Sequence, residues 1–101
     1  MAYTIRYSDE SIEDLRAISK HYMEINISLG NRFKEAFLGA ESNLLRNPYA
    51  FSKINYKDFR RIIIRKFPYK VIYRIEKEII QVFCVSHFAR SNRYVKNRLR
   101  K

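Results

Sequence analysis

Residues 59–75 read FRRIIIRKFPYKVIYRI, and the parsing of this stretch decides the fold. Ile62, Ile63 and Ile64 lead it and Val71, Ile72 and Tyr73 follow, stiff β-branched and aromatic residues that suit a pleated surface. Pro68 fixes its own φ and has no amide donor, so it punctuates the run. The spacing predicts two strands, about Phe59–Arg65 and Tyr69–Ile75, around a tight turn. Alternation puts Val71, Tyr73 and Ile75 on one face of the second strand and Lys70 and Arg74 on the other, with Arg61 and Arg65 together on one side of the first. Six of the seventeen residues are Arg or Lys and none is acidic. The apolar set is expected to feed a core, and the cationic set to build a basic open face.

Outward from this hairpin, Glu76-Lys77-Glu78 reads as a loop and IIQVFCVSH, residues 79–87, as a central strand, apolar nearly throughout. Residues 90–101 hold six basic residues and no acid; they form either a short helix or a mobile tail, expected to contact a partner and not the core. Upstream, Tyr3, Ile5 and Tyr7 alternate with Thr4 and Arg6, a short strand. Either Ser8 or Ser11 caps the following helix, with Asp9, Glu10, Glu13 and Asp14 near its positive end. Ile12, Leu15, Ile18, Tyr22 and Ile25 recur at helical spacing, and after a break at Ser28–Gly30 so do Leu29, Phe33, Ala36, Phe37, Ala40 and Leu44, until Asn47-Pro48. Both stripes read as core. The short connection makes the two helices an antiparallel hairpin. The expected class is α+β in the order β-α-α-β-β-β, with the hairpin packed on one face of a mainly antiparallel four-stranded sheet and one domain over 1–101.

The chain's 101 residues carry a net charge of +11. Residues 1–50 contribute −1 and residues 51–101 contribute +12, so the charge is confined to one half. That asymmetry points to a polyanionic partner. A single cysteine, Cys84, excludes an internal disulfide and fits a reducing, cytoplasmic compartment. MAYTIRYSDES has no apolar h-region, and the longest aliphatic run, Ile62–Ile64, is far short of a membrane span. Two glycines, Gly30 and Gly39, make no phosphate loop. Asp58, Glu76 and Glu78 are the second half's only acids, so no carboxylate pair is expected there. Cys84 and His87 sit three apart, on opposite faces of a strand, and the other histidine, His21, lies on the first helix, so neither metal nor cofactor is expected.

The residues left for function are Arg61, Arg65, Lys70, Arg74, Arg90 and Arg93 as anion or target contacts, Arg being suited to phosphate by its planar fork. They are expected to converge with His87 at one end of the sheet. His87 beside cations is either a general base, with Tyr94 as a second acid/base group, or a structural histidine bonding nearby backbone.

The order and spacing of Arg61, Arg65, Phe67-Pro68-Tyr69, Tyr73-Arg74, His87 and Arg90 resemble the RelE/ParE superfamily of type II toxin–antitoxin toxins over almost the whole chain. The resemblance implies a cytoplasmic plasmid-stabilisation or growth-arrest toxin, held in a hetero-oligomer by an acidic antitoxin. ParE-like members poison DNA gyrase. RelE-like members cut mRNA on the ribosome, a reading under which His87, Arg65, Arg74 and Tyr94 would be catalytic. Ile63 and Phe88 stand where a RelE-type site would want cations, and Tyr73-Arg74 and the V-x-H ending look more like ParE.

Overall fold

The computed structural model describes residues 2–100. Met1 and Lys101, the ends of the expected domain, lie outside the described residues. The elements are β1 (Thr4–Tyr7), α1 (Asp9–Ile25), α2 (Ile27–Arg46), a single 3-10 turn (Pro48–Ala50), β2 (Arg60–Ile63), β3 (Tyr69–Glu76), β4 (Ile79–His87) and α3 (Asn92–Leu99). The sheet order is β1-β4-β3-β2. β2–β3 and β3–β4 are antiparallel, and β1 joins β4 in parallel. The expected α+β order holds, with one helix more than the hairpin.

Local chemistry sets the boundaries. Ser8, not Ser11, caps α1, its hydroxyl accepting from the Ser11 amide at 3.1 Å. The helical hairpin breaks at Asn26 alone and not at Ser28–Gly30. Asn26 is extended, its amide donates to the Tyr22 carbonyl, and its side chain accepts from the Leu29 amide. One residue thus ends one helix and begins the next. Gly30 lies inside α2 because Met23 occupies the space a Cβ would need, its Sδ 2.5 Å from that position.

The hairpin packs on the face of the sheet carrying Ile62, Ile64, Val71, Tyr73, Ile80, Val82 and Val85, with Phe33 and Leu44 from α2 buried among them. The stripes are not wholly core. Ile25, at the hairpin tip, is 59% exposed.

The opposite face is not open. α3 lies on it, burying Val95 and Leu99 against Phe59, Ile72 and Cys84. The expectation that residues 90–101 avoid the core is therefore corrected for α3. Ser91 caps it, accepting from the Tyr94 amide, and Val95 and Leu99, four apart, give the basic segment one apolar stripe.

A bulge between the Ile72–Cys84 and Tyr73–Val82 pairs leaves Phe83 without a partner on β3. It switches the side-chain parity of β4. Ile80 and Val82 face the hairpin, but beyond the bulge Val85 does, and Cys84 joins the α3 side. Ser86 comes to lie directly across from Lys70.

Candidate functional site

Lys70 and Arg61 both project from the α3 face, as alternation requires. They line a cavity of about 210 Å³ roofed by the first turns of α3. Lys53 and Tyr56 from the loop before β2, and Asn92 and Lys96 from α3, complete its wall. Four cations and no carboxylate surround this space. Lys70 is only 7% exposed. Among the described residues none of the four makes an ion pair with an acid.

A second cavity, also about 210 Å³, lies beside the end of β4 between α1 and α3, lined by Asp14, Tyr69, Ser86, His87, Arg90 and Tyr94 among others. His87 Nδ1 accepts from the Ala89 amide at 2.9 Å, and its ring meets Tyr69 edge-on. That is the backbone-bonded arrangement expected of a structural histidine, and it leaves Nε2 as the nitrogen able to reach a ligand. The Arg90 guanidinium lies over the Tyr94 ring, 4.5 Å from its centroid, and the Tyr94 hydroxyl accepts from Arg98.

The other expected residues sit elsewhere. Arg74 is level with Gln81, six residues or roughly 20 Å along the strand from His87, and is ion-paired to Asp58 at 3.0 Å. Arg65 lies past the end of β2, where the left-handed Lys66 (φ 70) turns the chain. It lines a groove of about 640 Å³ against α2 with Arg32, Glu35 and Phe67. Arg93 is exposed on α3. The expected convergence is thus met in part: Arg61 with Lys70, and His87 with Arg90 and Tyr94. The cause is that β3 and β4 are long enough to hold Arg74 and His87 at opposite ends, while the Lys66 turn carries Arg65 to the hairpin side.

Sequence reading missed Lys53, Lys96 and Arg98. For the last two the signal was present, since Ser91, Val95 and Leu99 define a capped amphipathic turn whose other faces carry them. Lys53 carried none, because it sits in irregular chain. A third feature was also missed: α1 and α2 leave an apolar groove of about 400 Å³, lined by Tyr7, Ile12, Leu15, Phe33, Phe37 and Leu38 and flanked by Arg16 and Lys34. Leu38 is 57% exposed there. No group of three or more His, Cys, Asp or Glu able to hold a metal occurs among the described residues, and none of their helices is long and apolar enough to cross a membrane.

Comparison with known proteins agrees with this architecture. The chain matches none of the curated protein sequences with which it was compared. Its fold is shared with a chain from the chromosomal ParDE toxin–antitoxin system of P. aeruginosa, at a TM-score of 0.72 and 15% identity over 84% of this chain and 95% of that one. It is shared too with the isolated E. coli RelE toxin, at a TM-score of 0.57 and 19% identity over 98% of each chain. Residues 5–92 match the family model described as the ParE toxin of the type II toxin–antitoxin system parDE. This span takes in the hairpin, the first residue of α3 and all of the sheet but Thr4, and the chain belongs to the ParE toxin family.

Proposed function

We propose that this protein arrests growth by ParE-type inhibition of DNA gyrase, as the toxin of a plasmid-stabilising or equivalent module, and that a cognate antitoxin neutralises it in the cytoplasm. The observation that carries the reading is the dispersal of the residues a nuclease would need. General acid–base cleavage requires its groups within hydrogen-bond reach of one scissile phosphate. Here Arg74 is neutralised by Asp58 far down β3, Arg65 faces α2, and only His87 and Tyr94 share a cavity. Such a surface is better suited to binding than to chemistry.

The antitoxin's chemistry follows from two surfaces. The apolar groove between α1 and α2 fits the apolar side of an amphipathic helix, with Arg16 and Lys34 placed to meet acids on its flanks. The net charge of +11 favours an acidic partner. Purified toxin added to a gyrase supercoiling assay is expected to reduce supercoiling or accumulate cleavage complexes, and adding its antitoxin should reverse this. Unaltered gyrase activity from protein that arrests growth in cells would sink the proposal.

The second reading, a RelE-like ribosome-dependent endoribonuclease, draws on the pairing of Arg61 with Lys70 and of His87 with Arg90 and Tyr94. Primer extension on an mRNA in a reconstituted translation reaction decides it. New ribosome-dependent cuts, lost in His87→Ala, would establish the enzyme.

A further inference from the structure

We infer that the free edge of β1 is a self-association surface, on which a second copy of this chain pairs antiparallel about Ile5 and joins the two sheets into one of eight strands. The surface is separate from the target contacts proposed above, and the gyrase reading does not depend on it.

The sheet has two edges, and the chain treats them differently. At the β2 edge the preceding loop doubles back: the Arg61 amide donates to the Ser52 carbonyl at 3.0 Å, and Lys53 bridges to Arg60. That edge is partly covered and carries cations, two devices that keep strands from pairing with a neighbour. The β1 edge is uncovered. The Thr4 amide donates to Glu78 and the Ser8 amide to Val82. Alternation therefore turns the main-chain groups of Thr4, Arg6 and Ser8 toward β4 and those of Tyr3, Ile5 and Tyr7 outward. Among the described residues no bond outside the ladder reaches the main chain of Ile5 or Tyr7. The strand, TIRY, contains no proline or lysine, and its pairing with β4 runs without a register shift.

The occupant follows from the residues of that edge. Tyr3-Thr4-Ile5-Arg6-Tyr7 is self-complementary when run against itself. Centred on Ile5, Tyr3 meets Tyr7 of the second copy, Ile5 meets its own counterpart, and Thr4 meets Arg6. Every outward-turned residue then faces another, and each such pair exchanges both of its N–H···O bonds. A shift by two residues in either direction leaves an outward residue unmatched. The two-fold axis puts both helical hairpins on one face. Tyr3, Ile5 and Tyr7 already pack there, partly buried against the core, and their cross-strand pairs extend that apolar layer.

Charge also favours a second copy at this edge. β1 and the helical hairpin lie in the half of the chain whose net charge is −1, while β2 and α3 lie in the +12 half. In the order β1-β4-β3-β2 the cationic edge is three strand spacings, about 14 Å, from β1, beyond the screening length of about 8 Å at physiological salt. β4, next to β1, has no Lys, Arg, Asp or Glu. An acidic partner would find one cation on β1, Arg6, whereas a second copy sets that Arg6 opposite Thr4 and not opposite another cation.

The test is sedimentation equilibrium of the full chain from about 10 µM to about 1 mM, a range that reaches weak specific association. The apparent mass should rise from monomer toward dimer and stop there, because an isologous contact closes on itself. Added salt should strengthen the dimer, since each copy carries +11 and salt screens their repulsion. Thr4 is exposed, so changing it costs the fold little. Thr4→Glu puts an acid opposite Arg6 twice in the dimer and should tighten it about threefold to tenfold, and Thr4→Lys should loosen it by as much. Thr4→Lys combined with Arg6→Glu should restore it. Ile5→Cys gives an independent reading: in this register position 5 faces itself at a Cα separation of about 5.5 Å, within disulfide reach. Under oxidation it should cross-link rapidly to a reducible dimer, whereas Ile27→Cys, at a position 72% exposed, should not; the native Cys84 is buried. A monomer at every concentration, or a mass that climbs past the dimer, overturns the inference. So does a dimer indifferent to the charge at Thr4, or cross-linking no faster through Ile5→Cys than through Ile27→Cys.

Discussion

Asp14 and Arg98, 84 positions apart, face each other squarely: Arg98 Nη1 donates to Oδ1 at 3.2 Å and Nη2 to Oδ2 at 2.8 Å. Asp14 Oδ2 also accepts the Val85 amide at 3.0 Å. Arg98 Nη1 reaches the Tyr94 hydroxyl, and Nε lies 3.6 Å from Glu10 Oε2. First helix, central strand and last helix therefore meet at one carboxylate. The hydrogen bonds that Arg98 donates to Asp14 outweigh burial and hold the guanidinium above the usual arginine range.

Removing one partner of such a pair strands the other. Asp14→Ala is expected to lower unfolding free energy by about 2–4 kcal/mol. The check is a urea titration, in which the midpoint should fall while the slope stays constant. A double-mutant cycle with Arg98→Met should show strong coupling, and additive losses would contradict the geometry.

Truncation after Lys96 removes Arg98 and the buried Leu99. Loss of Leu99 alone costs about 2–4 kcal/mol, so the truncated chain should melt well over 10 °C lower. Freed of α3, Cys84 becomes accessible. Its burial now raises the thiol pKa and keeps it inert, and reaction with an aromatic disulfide reagent should accelerate by at least an order of magnitude. Unchanged reactivity would mean that α3 is not what shields it.

Tyr73 donates to the Pro48 carbonyl at 2.6 Å from the middle of the core, and burial pushes its pKa up to about 12 from 10.0. A group whose folded pKa is raised stabilises fully below its unfolded value and loses that contribution as pH climbs through the folded one. Stability should therefore fall by about 2–3 kcal/mol between pH 10 and 12 from this residue. Tyr7, half-buried and bonded to Glu41, is shifted in the same direction. In Tyr73→Phe the alkaline fall should become shallower, while stability at pH 7 drops by about 1–2 kcal/mol because the Pro48 carbonyl is left unpaired.

Gly39 lies on the exposed side of α2, with nothing within 4 Å of the position a Cβ would take. Gly39→Ala should stabilise the protein by about 0.5–1 kcal/mol through the unfolded chain's lost freedom. Chemical denaturation measures it, and a destabilised variant would place an unseen neighbour at that surface.

Periodicity made the sheet and hairpin legible from sequence, because each buries a regular face: 3.6 for Ile18 and Phe33, two for Val71 and Tyr73. Two things resisted it. The first was the role of the last helix, where Val95 and Leu99 are too few to outweigh six cations in a reading of composition. The second was the site's geometry. Alternation fixes which face a side chain takes but not its neighbours: Arg61 and Lys70 met as expected, whereas Arg74 was claimed by Asp58, a residue in irregular chain. The bulge at Phe83 has no marker in IIQVFCVSH, and it alone places Ser86 opposite Lys70.

The parallel pairing of β1 with β4 has a consequence for the order of events in synthesis. Thr4 finds its partner only when Ile79 has been made, and Asp14 must wait for Arg98. At roughly 5–20 residues per second, the amino-terminal strand is in solution for several seconds before its place in the sheet exists. A nascent chain that stops short of Arg98 thus lacks both the parallel strand pair and the Asp14 ion pair, or the latter alone. The core is assembled only once the residues of β4 and α3 have been made and are free to pack, so the faces built on them are absent from any shorter nascent chain.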